Sequence, residues 1–447
     1  MLDRVAEARR RRSFASLARE RIAEFASHPP PVLNYLPCPP AARFGGVALQ
    51  LMARLEKESQ ARPVAMLYPL GGRYRLELQD GRRRASVEFE GAETSPVKMI
   101  DERFEAVIAQ VLGALGISTL HLEGAANLPL ESIVRLHTAG VRTLLSLHDF
   151  ALFCPRPALV EHPMMRFCDY STDFRRCRNC LGVSWPEHRE IQPAYREAAA
   201  RVLAGAAAVV YPSEFLRRKY AELFPDAQVA RAEVIEPAIE LPIDVHPRRP
   251  HPKAAAPWHV AIVGAVTEPK GSRIIDDVIA RASRAAAGAL RWSVFGGGDA
   301  AVLRRLRAMR VAVEGYYRTG TLPQLLRRRE VDLAIILSVV PESFSLTLSE
   351  CWAAGVPVVA FEHGAIADRI RADGGGILVD SSEGSDGIAR TLETIASGRM
   401  SIPTIDIKLA LPTPDATAAA YRRLYRELGL FSASVPEGSP SRPAFEA

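Results

Sequence analysis

The chain has 447 residues, more than a single hydrophobic core usually organises, so its length predicts two domains with additional segments. Apolar residues make up 48% of the chain and charged residues 24%, a composition that excludes the intrinsically disordered class. The formal net charge is +6, and no run reaches the roughly 18 apolar residues that a membrane-spanning helix needs. We therefore expect a mildly basic globular protein.

The first 30 residues are rich in arginine. Residues 3–26 follow the pattern of an amphipathic helix, with Val5, Leu17 and Phe25 among its apolar positions. Such a helix binds the surface of an anionic membrane, or it packs on its own domain, and both interpretations stay open. Because this segment lacks an apolar signal core, we expect a cytoplasmic protein, with contact at the inner face of the membrane as the peripheral alternative. Aromatic residues do not interleave with the arginine clusters, so we expect no nucleic-acid partner.

Apolar runs alternate with helical patterns from residue 31 to residue 245. The run PVLNYLP at 31–37 predicts a first buried strand, and Gly45 and Gly46 follow it directly before an apolar-periodic helix. A strand, a glycine turn and a helix can bind phosphate, because the first amides of the helix point at the anion. Alternation of this kind predicts a parallel, doubly wound sheet. The other predicted strands of this half are RPVAMLYP, ISTLHLEG, RTLLSLHDF and AAAVVYP.

The same alternation restarts after a proline-rich stretch, which we assign as a linker at 246–257. A second Rossmann-like domain is predicted at 258–410, a closing helix at 411–431 with Thr413 as its N-cap, and a disordered tail at 432–447. The predicted fold class is therefore α/β, with two doubly wound parallel-sheet domains, at 31–245 and 258–410, that face each other across a cleft.

Two carboxylates stand out in the second domain. Ser345 is a candidate N-cap of a short apolar helix, which places Glu342 on the loop before that helix and Glu350 inside it. An unpartnered carboxylate buried there would cost several kcal/mol. Either the vicinal hydroxyls of a ribose and of a second sugar satisfy these two acids, or nearby arginines pair with them.

The stretch PESFSLTLSECWAAGVPVVAFEHGAIADRI, residues 341–370, resembles the donor-binding signature of family 4 retaining glycosyltransferases. That family has the GT-B fold, and its signature holds two glutamates separated by seven residues. The segments VGAVTEPKG, VFGGGDAAVLRRL and LLSLHDF fall in the family's order. The resemblance covers most of residues 31–425 and is strongest from 258 to 380. It is closest to members that act in bacterial surface polysaccharide synthesis.

The resemblance implies a nucleotide-diphosphate sugar as donor and a glycan, lipid-linked glycan or surface polysaccharide as acceptor. Glu350 would bind the ribose, Glu342 the transferred sugar and Lys270 the diphosphate, while His148 would face the sugar or the acceptor across the cleft. The family needs no metal for catalysis. The other implied donor contacts are Gly45, Gly46, Gly264 and the backbone of Phe344 and Ser345.

The chain departs from the family pattern at one position. Members commonly carry an arginine directly after the glycine of the first strand in this domain, whereas Ala265 follows Gly264 here. A second phosphate cation is thus absent or comes from elsewhere, with Arg273 and Arg318 as candidates. A catalytically inactive GT-B scaffold that binds a nucleotide-sugar or a glycan is therefore the alternative. A nicotinamide enzyme is disfavoured, because VFGGGDA is not a complete dinucleotide fingerprint.

Four of the six cysteines cluster in a segment that we treat as an insert at 154–182. One pair has CxxC spacing, which is half of a zinc-knuckle pattern, and a closed tetrahedral site would need the other two thiols as well. A structural zinc is one interpretation, and free thiols or redox chemistry are the others. The candidate ligands are Cys154, Cys168, Cys177 and Cys180, with His162 and Asp169 as substitutes. A similar cysteine-bearing insert occurs in some polysaccharide glycosyltransferases.

Overall fold

The computed structural model describes residues 30–40, 46–91, 93–241, 257–405 and 411–430. The predicted basic helix within 1–30, nearly all of the proline-rich linker and the predicted tail at 432–447 lie outside these ranges, as does Gly45. Among the described residues, no helix combines the length and the apolar character that crossing a bilayer requires.

The first domain is built on an eight-stranded sheet with the order β10-β9-β6-β5-β1-β2-β3-β4. Its parallel part is the predicted doubly wound core, and the order reverses between β1 and β5. A separate small hairpin lies within the cysteine-bearing insert. The strands of this half are β1 Leu33–Tyr35, β2 Val64–Leu70, β3 Arg73–Asp80, β4 Arg83–Glu90, β5 Thr119–Leu122, β6 Arg142–Ser146, β7 Val160–Glu161, β8 Arg166–Phe167, β9 Ala208–Tyr211 and β10 Ala232–Val234.

The hairpin β3–β4 was not predicted, and it makes one edge of this sheet antiparallel. In β3, the residues Tyr74, Leu76 and Leu78 are buried and alternate with polar ones. Such alternation is typical of a strand that covers a core with one face only. This alternation is visible in the sequence, but half of the residues in each strand are charged, and neither strand contains a continuous apolar run.

Helices cover the first sheet, and local capping explains their ends. Asp101, for example, accepts hydrogen bonds from the amides of Arg103 and Phe104, and Gly116 ends the same helix in the left-handed conformation. The helices of this half are Gly46–Ser59, Glu102–Leu115, Leu130–Thr138, Phe174–Gly182, Gln192–Gly205 and Glu214–Leu223.

The second domain has a six-stranded sheet with the order β13-β12-β11-β14-β15-β16, and the sheet is parallel, as the sequence predicts. Its central strands, such as β14, are buried throughout, because helices cover both faces of the sheet. The strands are β11 Trp258–Val263, β12 Leu290–Phe295, β13 Ala312–Gly315, β14 Leu333–Ile336, β15 Val358–Phe361 and β16 Gly376–Val379. The helices are Ile275–Ala285, Ala300–Ala308, Leu322–Arg328, Leu346–Ala353, Gly364–Asp373 and Gly384–Ala396.

The last helix, Pro414–Glu427, returns to the first domain. Its N-cap is Thr413, as predicted, whose Oγ1 accepts from the amide of Ala416 at 3.2 Å. Tyr421 and Tyr425 are buried against Leu144 and Val210 of the first sheet. The last described helix therefore packs on the first domain.

Candidate active site

The loops on either side of one strand-order reversal bring a cation and an acid together. The order in the second sheet reverses between β11 and β14, and ligands of such sheets bind beyond the carboxyl ends of the strands at that point. Lys270 follows β11, at the end of a short 3₁₀ helix, and Glu342 follows β14. The Nζ atom of Lys270 lies 2.6 Å from Oε1 of Glu342. The structure thus joins two residues that the resemblance assigns to the diphosphate and to the transferred sugar.

Glu342 is held in its ionised form. Burial alone would raise the pKa of its carboxyl, but the charge of Lys270 and hydrogen bonds from Lys270, Ser338 and Ser345 together outweigh burial, and the pKa lies below the ordinary value. The hydroxyl of Ser338 donates to the same Oε1 atom. Nε2 of His363 lies 2.8 Å from the carbonyl oxygen of Ser338 and fixes that residue in turn. An ionised carboxylate with a fixed orientation can accept hydrogen bonds from hydroxyl groups.

The loop that carries Phe344 and Ser345 has an unusual backbone. Ser345 adopts the left-handed conformation, with φ 74°, and its Oγ caps the following helix by accepting from the amide of Leu348 at 3.4 Å. Arg369 donates from Nη1 to the carbonyl oxygens of Phe344 and Ser345 at 3.2 and 3.0 Å. Its Nη2 donates to Ser349 at 2.9 Å. Arg369, which lies on the helix Gly364–Asp373, therefore holds this loop in place.

Glu350 lies inside the helix and is only 2% exposed. Its Oε1 accepts from the backbone amide of Gly320 at 2.7 Å. Burial raises the pKa of Glu350 to about 7, and backbone amides, including that of Leu322, oppose the rise. The hydrogen-bond partners of the two acids are thus a lysine, a serine and backbone amides, and the arginine interpretation does not describe these contacts.

His148 approaches the same loop from the first domain. It follows β6, and Ser343 Oγ donates to its carbonyl oxygen, while the carbonyl oxygen of Ser343 accepts from Ser213 at 2.6 Å. Nδ1 of His148 lies 2.9 Å from Nε2 of Gln50. Burial, together with the charge of Arg54, lowers the pKa of His148 to about 3, so its ring is neutral at physiological pH.

The predicted donor-binding glycines differ in their surroundings. A Cβ atom on Gly46 would come within 2.9 Å of Cδ1 of Leu346, the flexible end of a side chain in the second domain. Gly264 directly follows β11 with φ 111°, a conformation that favours glycine, and a Cβ atom there would meet no described atom within 4 Å.

The candidates for the second phosphate cation have different surroundings. Nη2 of Arg273 lies 3.2 Å from Oε1 of Glu268, in an exposed pair. Arg318 is exposed and lies two residues before Gly320, the partner of Glu350. That either arginine replaces a cation at Ala265 stays a hypothesis.

The cysteines of the insert are free thiols. Within the described ranges, no three side chains of histidine, cysteine, aspartate or glutamate converge where they could hold a metal ion. Burial raises the pKa values of Cys154, Cys168 and Cys177, that of Cys154 to about 12, which favours the thiol over the thiolate that zinc needs. Cys180 Sγ accepts instead from the amide of His162 at 3.2 Å. As they stand, the four thiols do not fit a tetrahedral site, and the structural zinc stays a prediction.

Sequence reasoning missed four residues that support the site: Gln50, Ser338, His363 and Arg369. His363 and Arg369 lie inside the recognised signature, and its extent was the signal that could have found them. Gln50 gives no such signal, because it contacts a histidine 98 residues away in sequence.

One protein-family model matches part of the chain. Residues 258–397 match a family model described as "Glycosyl transferases group 1". The matched segment contains Lys270, Glu342, Glu350 and Arg369. No protein of curated function shows significant sequence similarity to the chain.

Solved structures resemble the whole described molecule at low sequence identity. A sucrose-phosphate synthase of Thermosynechococcus elongatus is 16% identical, with a TM-score of 0.54 over 89% of this chain and 98% of its own. The catalytic domain of Arabidopsis thaliana starch synthase IV, bound to ADP and acarbose, is 11% identical, with a TM-score of 0.54 over 90% and 99%. HepE of Anabaena, in complex with UDP-glucose, is 15% identical, with a TM-score of 0.51 over 88% and 99%. At these identities the likeness shows the fold, which is GT-B, as the sequence predicts.

Proposed function

We propose that the protein is a retaining glycosyltransferase of family 4, which moves a sugar from a nucleotide-diphosphate sugar to a glycan, lipid-linked or surface-polysaccharide acceptor. One observation carries the proposal. Lys270 and Glu342 meet at the strand-order reversal of the second sheet, inside the segment that matches the glycosyltransferase model. The ligands in related folds support a nucleotide-sugar donor, because starch synthase IV is described with ADP and HepE with UDP-glucose.

The chemistry follows from the charges at this point. As the diphosphate leaves, the anomeric carbon becomes positively charged and the leaving group gains negative charge. Lys270 would stabilise the leaving group, and the ionised Glu342 would accept hydrogen bonds from the sugar hydroxyls. Glu350 would accept from the ribose. The acceptor would attack from the face that the diphosphate leaves, so no protein nucleophile and no metal are required.

The neighbouring loops would exclude water from the reacting atoms. Ser343 contacts His148 and Ser213 of the first domain, so the cleft is already bridged at the loop that carries Glu342. Exclusion of water strengthens electrostatic stabilisation and suppresses hydrolysis of the donor. The cytoplasmic location and a membrane contact through residues 1–30 belong to this proposal as predictions from the sequence.

Proton NMR of the purified protein with nucleotide sugars tests the proposal. UDP-glucose, UDP-galactose, UDP-N-acetylglucosamine, GDP-mannose and ADP-glucose are supplied separately, and slow release of the sugar is followed. We expect one donor to be cleaved, with the configuration of the donor retained in the first sugar released. Lys270→Ala should abolish cleavage, while Arg281→Ala, in a surface ion pair on the following helix, serves as the control.

An inactive scaffold is the second candidate, and the alanine at position 265 favours it. The same experiment separates the two functions. Cleavage of a donor with inversion would contradict the retaining mechanism. Binding of a nucleotide without cleavage of any donor would favour the scaffold.

A further inference from the structure

A cavity of about 400 Å³ lies between the cysteine-bearing insert, the first domain and the loop that leads to Lys270. Arg156 and His162 line it from the insert, Trp185 from the segment just after the insert, and Glu268 and Pro269 from the second domain. Its size is within the range of small-molecule sites in proteins. It joins both domains, so a ligand in it would contact each of them.

The lining has the chemistry of a carbohydrate site. Trp185 and several prolines offer apolar surfaces, and Asn127, Arg156 and His162 offer hydrogen-bonding edges. A pyranose ring has the matching pattern, with C–H groups on its faces and hydroxyls around its rim. Aromatic and other apolar surfaces bind such faces, and a few polar groups fix the orientation of the ring.

The insert holds two of the lining residues in fixed positions. The guanidinium of Arg156 lies 4.8 Å from the centre of the Trp185 ring, and its Nη2 donates to Ser184 Oγ at 2.6 Å and to the Cys180 carbonyl at 3.3 Å. The amide of His162 donates to Cys180 Sγ at 3.2 Å. Cys180 thus holds Arg156 through its backbone carbonyl and His162 through its thiol.

The location relates the cavity to the proposed reaction. Pro269 is the covalent neighbour of Lys270, which pairs with Glu342. In a sugar transfer, the attacking hydroxyl must come within bonding distance of the anomeric carbon next to the diphosphate. A cavity lined by Pro269 therefore adjoins the loop that carries Lys270, between the two domains.

We propose that this cavity binds a sugar ring of the acceptor and that the cysteine-bearing insert selects the acceptor. The proposal rests on the proposed function, since only a glycosyltransferase needs an acceptor site there. Trp185 supplies the stacking surface. Arg156 and His162 supply hydrogen bonds to the rim of the ring.

Saturation-transfer NMR with the full chain tests this site. The probes are the methyl glycosides of glucose, galactose, mannose, N-acetylglucosamine and glucuronic acid, each added with UDP, GDP or ADP. We expect at least one glycoside to receive saturation in the wild type. Trp185→Leu and Arg156→Gln should remove most of that signal. Phe174→Leu should retain it, because Phe174 is an aromatic residue of the same insert, 46% exposed, that does not line the cavity.

Three further measurements make the outcomes distinct. Thermal unfolding shows whether each variant folds, and a nucleotide-induced rise in Tm shows whether the donor site is intact. Glu342→Ala identifies any glycoside that binds in the donor-sugar position. A wild type that binds a nucleotide but no glycoside would overturn the acceptor proposal alone. The same holds if the saturation-transfer signal survives Trp185→Leu, or if Phe174→Leu loses the signal to the same extent. A wild type that binds no nucleotide would overturn the proposed function instead.

Discussion

Glu350 and Glu342 are acids of the same signature with opposite electrostatic surroundings. Burial raises the pKa of Glu350 to about 7, whereas for Glu342 the charge of Lys270 and several hydrogen bonds together overcome burial and keep the pKa below its ordinary value. The difference matches two tasks. In the proposed function, Glu342 would stay charged beside the transferred sugar, and hydroxyl donors from a ribose would favour the charged form of Glu350.

This difference predicts a pH dependence of nucleotide binding. Ribose hydroxyls donate to the ionised form of Glu350, so binding releases a proton below about pH 7. Affinity should therefore rise with pH, by at most about tenfold per unit, and level off above about pH 7. Isothermal titration calorimetry between pH 5.5 and 8.5 measures it. Glu350→Gln should lose this slope and show only the titration of the nucleotide itself. An unchanged slope in that variant would contradict the assignment.

The sequence located both acids but not their partners. The seven-residue spacing and the apolar helix around Glu350 placed the two carboxylates in one site. The partner of Glu342 lies on a different loop, at Lys270, and that of Glu350 is a backbone amide at Gly320. A side-chain pattern cannot reveal a backbone partner, because every residue type except proline carries the same amide.

At the scale of elements, the donor loop depends on a neighbouring helix. The guanidinium of Arg369 lies 4.0 Å from the ring centre of Phe344 and 4.9 Å from that of Trp352, and it donates to two carbonyls of the loop. Burial lowers the pKa of Arg369 to about 10, so it stays charged at neutral pH. The left-handed backbone of Ser345 is maintained by these contacts.

We therefore expect Arg369→Met to destabilise the protein by about 2–4 kcal/mol, because two buried carbonyls lose their donors. Urea unfolding measures the change. Arg371→Met is the matched control on the same helix, because Arg371 is half exposed and pairs with Glu362 in a surface ion pair. That control should change stability by less than about 1 kcal/mol. Equal effects of the two substitutions would contradict the role given to Arg369.

Elements were predictable where their apolar pattern was strong. The runs around β1, β2, β5, β6 and β9 predicted strands, and Ser345 and Thr413 correctly marked the starts of helices. The hairpin β3–β4 was missed because its buried residues alternate with charged ones. Its alternation is the two-residue period of a half-buried strand, which a search for continuous apolar runs overlooks.

At the scale of the whole molecule, the helix Pro414–Glu427 ties the end of the second domain to the first. Tyr425 Oη lies 2.7 Å from Nδ1 of His121, and Tyr421 Oη lies 3.0 Å from Oγ of Ser146. His121 also contacts Ser146, so these groups form one buried network. No sequence pattern could have predicted it, because Tyr425 and His121 are 304 residues apart.

Loss of one hydroxyl should loosen this connection. Tyr425→Phe removes the hydroxyl that lies beside Nδ1 of His121, while Oε1 of Glu123 stays 3.2 Å from the same nitrogen, so we expect a loss of about 0.5–1.5 kcal/mol of stability in calorimetry. Arg423→Ala lies on the exposed face of the same helix and should change stability by less than about 0.5 kcal/mol. A wild-type melting curve for Tyr425→Phe would show that the network does not hold the helix.

The central claim is that the second domain binds a nucleotide through Glu350. Thermal unfolding of the wild type and of Glu350→Ala, with UDP, GDP, ADP or TDP, tests it most directly. A nucleotide at about 100 times its dissociation constant should stabilise the wild type by about 2.7 kcal/mol. We predict that one nucleotide raises the Tm of the wild type and leaves that of Glu350→Ala unchanged. A folded wild type that no nucleotide stabilises, or an equal shift in both proteins, would contradict the claim.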